Sequence, residues 1–242
     1  MNRCLCRQVW KANLSLWEHG LVFGTQGNVS GIDRDAGVVY IKPSGVPYED
    51  LSERAIVTVS LDGSILRGTM RPSVDTVHHL ALYRHIPSAG GVCHTHSRFA
   101  TVFSVLEMPV PVLTTGHADV FGQEIPVAPY ADNTGDAIAR AFLAAHRKTS
   151  CPAVILARHG LFAVGNTPEK AAFHALMAEY CAAVSYSALV AGALLGRKIV
   201  ALPEEEIRVW YERYHSPRYG QATGGTDAAR LPVRQNRRRR RD

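Results

Sequence analysis

The chain has 242 residues, 46% hydrophobic and 20% charged, a balance that fits one α/β domain with an ample core. No run approaches the roughly 20 apolar residues of a membrane span, and the opening Met1-Asn-Arg-Cys-Leu-Cys-Arg-Gln8 lacks the apolar core of a signal peptide, so a cytoplasmic location is expected. The net charge of +6 rests largely on the five arginines at 237–241. Without them the chain is close to neutral and shows no interleaving of basic and aromatic residues, which argues against a specific nucleic-acid partner.

Leu5, Val9, Ala12 and Leu16 recur at helical spacing ahead of Gly20, predicting an amphipathic helix with a glycine stop. Cys4 and Cys6 at its start have no nearby histidine to complete a metal site. The five cysteines of the chain are odd in number and irregularly spaced, which suits reduced thiols. Gly24-Thr-Gln-Gly-Asn28-Val-Ser30 reads as a loop, followed by strands over 37–42 and 55–61 with a hairpin signal at Asp62-Gly63. Ser73 stands as the N-cap of a helix running through Arg84, with Asp75 in its first turn. A strand over 91–95, a helix over 98–106, a strand-like stretch near 110–114, a glycine-containing loop around Asp119 and a helix over 134–147 follow. Strands over 152–157 and 161–164 flank His159-Gly160, and helices over about 167–195 and 203–214 close the domain. This order predicts an α/β fold, a single domain with a mixed, largely antiparallel central sheet layered by helices. The domain is expected to span 1–221, and the polar, arginine-rich stretch 222–242 to be a disordered tail.

The chemistry concentrates in His94-Thr95-His96. Side chains alternate across a strand, so both imidazoles point to one face. His159, at the end of another apolar strand, is a third candidate, and three neutral imidazoles leave a divalent metal an open position for catalysis. Three segments suit a small anion: the Gly24–Asn28 stretch with its amides and Asn28 side chain, Lys42-Pro-Ser44-Gly45 with a cation and a tight turn, and Ser73 at a helix start. Each alone is also an ordinary turn or cap, and their glycine spacing matches neither a P-loop nor a dinucleotide fingerprint. Asp75 is either a fourth metal-shell group or a carboxylate serving the helix dipole. Asp119 is either a turn former or a general acid or base. His78, His79 and His117 have no partner spacing and read as structural.

Taken in order, Asn28-Val-Ser, Ile41-Lys-Pro-Ser-Gly-Val46, Pro72-Ser-Val-Asp-Thr76, Gly91-Val-Cys-His-Thr-His-Ser97, Thr115-Gly-His-Ala-Asp119, His159-Gly160 and Tyr219-Gly-Gln221 resemble the class II aldolase/epimerase family, and within it the epimerases. The resemblance covers about residues 5 to 221. It implies metal-dependent epimerisation at C4 of a pentulose 5-phosphate, L-ribulose 5-phosphate to D-xylulose 5-phosphate, by retro-aldol cleavage and re-addition. It further implies one divalent ion per subunit, zinc by preference, on His94, His96 and His159 with Asp75 nearby. Asn28, Lys42, Ser44, Gly45 and Ser73 would surround the phosphate. Asp119 and Tyr219 from a neighbouring subunit would be the acid/base pair in a homotetramer with interfacial sites, with Arg213 as a further phosphate cation. Three departures, Val74 where the epimerases commonly carry a second serine, Trp210 where a histidine is often found, and a shorter segment after Asp119 than in many epimerases, bear on the identity of the sugar phosphate. The alternatives are a sugar-phosphate aldolase of the fuculose or rhamnulose type, a related dehydratase, or a non-catalytic metal- or nucleic-acid-binding protein suggested by Cys4, Cys6 and the arginine tail.

Overall fold

The computed structural model describes residues 2–217 and 219; the expected domain end at 221 and the arginine-rich stretch 222–242 lie outside the described residues. Helix α1 (Arg3–Glu18) leads into β1 (Asn28–Asp33) and β2 (Val38–Ile41), a 3-10 turn (Glu53–Ala55), β3 (Val57–Ser60) and β4 (Ile65–Arg67). Helix α2 (Thr76–His85), β5 (Gly91–Thr95), α3 (Arg98–Leu106), α4 (Thr115–Phe121), β6 (Val127–Ala128) and α5 (Ala137–Thr149) follow. Strands β7 (Ala153–Leu156) and β8 (Gly160–Gly165) form a hairpin, and α6 (Pro168–Leu194) and α7 (Glu204–Tyr214) complete the described chain.

The strands make one sheet in the order β4-β3-β2-β1-β5-β8-β7-β6, antiparallel except for the β6–β7 pair. It is the mixed, largely antiparallel sheet that the element order predicts. Alternation along each strand divides the core into two layers. Val29, Cys93, Leu161 and Ala163 pack under α1, α3, α4 and α6, whereas Val92, Val154, Phe162 and Val164 pack under α2 and α5. His94 shares the parity of Val92, so it stands on the α2 side of the sheet.

Four local expectations need correction. Residues 28–30 are strand, not loop: buried Asn13 of α1 accepts from Val29 N–H and donates to Val29 C=O, each at 2.8 Å, and β1 is then held between β2 and β5. Residues 115–119 are helical, because Thr114 caps His117 N–H and α4 packs against α7. Near 110–114 only Val110 pairs, with Ile125, since Pro109 and Pro111 offer no N–H to a ladder. Helix α5 starts at Ala137 because Thr134 N–H is bonded to the Asp132 carboxylate at 2.9 Å and Gly135 turns left-handed.

Helix α6 runs 27 residues with a mean hydropathy of 1.3 in its most apolar window, enough by length and composition to cross a membrane, contrary to the expectation that no segment comes close. Its face from Ala171 through Ala182 is buried instead in the protein's own core.

Candidate functional site

His94 and His96 flank the last residue of β5, and His159 sits in the β7–β8 turn rather than at a strand end. Their ring centroids lie 4.7 to 5.0 Å apart, and their nitrogens can be chosen so that all lie within 4.8 Å of one another. Several local contacts fix this convergence. His94 Nδ1 lies 3.0 Å from the Leu161 carbonyl, which keeps the proton on that nitrogen and leaves the Nε2 lone pair available. Its ring stacks on Phe162 at 4.2 Å. The turn carrying His159 is held by Arg158 in a left-handed conformation (φ 57°), with Arg158 N–H donating to Ser104 C=O at 3.0 Å.

Gly160 permits the approach of this turn to β5: a Cβ there would meet the Thr95 carbonyl oxygen at 2.5 Å and His96 Cδ2 at 2.8 Å. A Gly160→Ala variant is therefore expected to lose about 1–3 kcal/mol of stability, the usual cost of overpacking. Urea unfolding measures it, and an unchanged midpoint would show that the turn and His96 relax without penalty.

The donor set fits a divalent cation. Burial pushes His94, His96 and His159 below the ordinary imidazole range, so the rings are neutral ligands. His96 Nε2 is buried without a hydrogen-bond partner. Burial alone would raise the Asp75 carboxyl, but His94, His79 and His78 and the Asn28 hydrogen bond outweigh it and hold it below its usual range. One ionised carboxylate beside three neutral imidazoles is a suitable charge state for binding such an ion.

Asp75 is the N-cap residue of α2, with no side-chain cap bond, rather than a first-turn residue, and Ser73 lies outside the helix instead of capping it. Asn28 explains the difference. It stands opposite His94 across the β1–β5 ladder, and its Nδ2 donates to Asp75 Oδ2 at 2.7 Å and Ser73 Oγ at 3.0 Å, drawing both side chains toward the cluster. Asn28 Oδ1 is left buried and unpartnered.

The second expected anion segment adjoins this one. Ser73 N–H donates to Lys42 C=O at 3.0 Å and Ser44 N–H to Arg71 C=O at 2.9 Å, so the two loops are laced together. Lys42 is buried, its ammonium 3.2 Å from the Thr25 carbonyl and 4.7 Å from the centre of the Tyr48 ring. Desolvation pulls its pKa down to about 8. Ser44 and Gly45 are exposed at the turn. Gly27 completes the junction, because a Cβ there would come within 2.9 Å of the His94 carbonyl oxygen.

Asp119, Arg213 and Tyr219 form a separate group. Burial raises the Asp119 carboxyl, opposed by Arg213 and His215. The Arg213 guanidinium lies over the rings of Trp210 and Tyr219 at 5.0 and 5.7 Å, and Tyr219, 46% exposed, rests on Tyr214 at 4.8 Å. His79 and His117 are buried and bonded to Ser30 Oγ at 2.7 Å and Gln123 C=O at 3.0 Å, which fits their structural reading. Two contributors escaped sequence reading. Phe162 is hidden in an apolar strand, although its place two residues after Gly160, on the same face of β8, could have marked it. Glu179 of α6 accepts from Phe99 and Ala100 N–H, each at 2.8 Å, and anchors the chain just after His96, with no local signal of that role.

Comparison with known proteins follows the same lines. The family model described as Class II Aldolase and Adducin N-terminal domain matches residues 7–186. The L-ribulose-5-phosphate 4-epimerase UlaF of Salmonella paratyphi B is 41% identical over 194 residues, covering 76% of this chain and 85% of that protein. Among solved structures, an L-fuculose 1-phosphate aldolase superposes with a TM-score of 0.78 at 29% identity, over 88% of this chain and 97% of that one. The L-fuculose-1-phosphate aldolase of Thermus thermophilus gives 0.64 at 27% identity, over 84% of this chain and 100% of that one.

Proposed function

The chain belongs to the class II aldolase family, and on that premise we propose that it is a metal-dependent 4-epimerase of a pentulose 5-phosphate, interconverting L-ribulose 5-phosphate and D-xylulose 5-phosphate. The observation that carries this reading is the continuity of the histidine cluster with the two anion-suited loops through Asn28, Ser73 and Asp75. His94, His96 and His159 would hold one divalent ion, with Asp75 beside them, and nitrogen donors favour zinc. When bound, the ion would supply Lewis-acid chemistry to the carbonyl end of the sugar.

The stereocentre at C4 has no acidic proton, because its neighbours are not carbonyls, so inversion needs cleavage of C3–C4 and re-addition to the opposite aldehyde face. Asn28, Lys42, Ser44, Gly45 and Ser73 anchor the phosphate while the aldehyde fragment turns. Asp119 and Tyr219 then exchange protons with the C4 oxygen, one on each face. Burial raises the Asp119 carboxyl, which favours its proton-bearing form. Arg213 adds a cation for the phosphate.

We further assign the chain to a homotetramer with shared sites: Val190, Leu194, Leu195 and Val200 are 41 to 82% exposed, an apolar surface suited to another copy. Phosphorylated substrates and five unpaired cysteines suit the cytoplasm.

Incubating the metal-loaded chain with L-ribulose 5-phosphate tests the reading. D-xylulose 5-phosphate is expected without accumulation of free aldehyde. Net release of dihydroxyacetone and glycolaldehyde phosphate, or turnover confined to L-fuculose 1-phosphate, would make the chain an aldolase instead, the activity in the names of the two solved structures above.

A further inference from the structure

Apart from the histidine cluster, the start of α1, the 3-10 turn, β3 and the end of β4 enclose a cavity of about 860 Å³. Its size falls within the roughly 300–1,000 Å³ typical of small-ligand sites. Arg3, Arg7, Arg54 and Arg67 line it, and Glu53 is the one acidic residue of the lining. Arg7 Nε holds that carboxylate at 3.1 Å, and Arg3 and Arg54 have no ion-pair partner among the described residues. Cys6 and Ile56, each 5% exposed, give the cavity an apolar floor.

Like charges gathered around one concavity repel, and a low-dielectric wall focuses their field rather than dispersing it. An anion that bridges the guanidinium groups reverses the sign of that energy, and arginine is the side chain best matched to phosphate geometry. Four arginines from three segments, α1, the 3-10 turn and β4, converge on one volume, and no aromatic ring lines it for base stacking. Both features point to a compact ligand recognised through its phosphates, not to a nucleic acid.

We propose that this cavity is a second anion site, for a small metabolite carrying two or more phosphate groups. Occupancy ties the N-terminal turn of α1 to the 3-10 turn and the β3–β4 hairpin, adding to the Arg7–Glu53 pair and the 3.6 Å contact between Cys6 Sγ and the Glu53 carbonyl.

Calorimetric titration of the full, metal-loaded chain with D-fructose 1,6-bisphosphate tests this, with D-fructose 6-phosphate as the one-phosphate comparison. The bisphosphate is expected to bind at least about tenfold more tightly. An Arg3→Gln/Arg54→Gln variant, altered only at exposed positions, is expected to weaken it by about tenfold or more, because charge-assisted hydrogen bonds are lost. Its thermal midpoint without ligand verifies the fold. Ser44→Ala, which alters the other phosphate cradle, is expected to leave bisphosphate affinity within about twofold, since it removes none of these guanidinium contacts. The proposal is overturned if the unaltered chain does not bind the bisphosphate, if the arginine variant binds it unchanged, or if Ser44→Ala loses as much affinity as the arginine variant.

Discussion

A His94→Ala/His96→Ala variant is expected to lose its divalent ion and at least about 10³-fold in kcat, the scale on which Lewis-acid stabilisation acts. Its secondary structure should survive, because the sheet is held by pairings that neither imidazole makes. The truncation is not free: the His94 ring covers Phe162 at 4.2 Å, so a loss of about 2–4 kcal/mol is expected from the cavity. His96→Ala alone separates the two effects. His96 is half-buried and its Nε2 makes no internal hydrogen bond, so this single change should lower metal content and turnover together while moving the urea midpoint little. Metal analysis alongside kcat is the measurement. Full activity in either variant would remove the histidine cluster from the chemistry.

Tyr219→Phe is expected to lower epimerisation by about 10²- to 10⁴-fold, the range for a proton-transfer group. Carbon–carbon cleavage should persist, so glycolaldehyde phosphate would leak from the variant. Asp119→Asn should impair transfer on the other face. If Tyr219 serves a neighbouring subunit's cluster, mixing inactive Tyr219→Phe chains with inactive His94→Ala chains creates some interfaces with a complete site. Recovery of part of the activity supports sharing. No recovery, with subunit exchange verified by mass, would assign Tyr219 to its own chain's site or remove it from catalysis.

The histidine cluster was legible because strand parity is a local rule: one residue between His94 and His96 brings both imidazoles to one face. The layered sheet was legible for a related reason, since element order restricts the layers that can cover it. What escaped depends on distant partners. Residues 24–30 have the composition of a loop, and β1 exists because Asn13 and two neighbouring strands claim its backbone. Spacing alone left Asp75 open between a helix-dipole carboxylate and a metal-shell group, because its link to the cluster runs through Asn28, 47 residues away. Asp119 looked like a loop residue because α4 is short and is stabilised by packing on α7. Arg3 and Arg7 share a face of α1 by helical spacing, but Arg54 and Arg67 come from two other segments, and no spacing rule joins those to it.

The ladder order also governs when such a site can form during folding. Strands β1 to β4 pair in sequence order, each with its neighbour in the chain, so that meander can assemble early. The β5–β8 ladder is different: the His94 imidazole finds its carbonyl partner 67 residues further along the chain. High contact order of this kind slows folding and delays closure. The metal-binding geometry is thus a late product of assembly, absent from any partly folded chain that has only its N-terminal meander. An ion taken up there would report completion of the sheet, and would slow unfolding most if it bridges contacts that the transition state lacks.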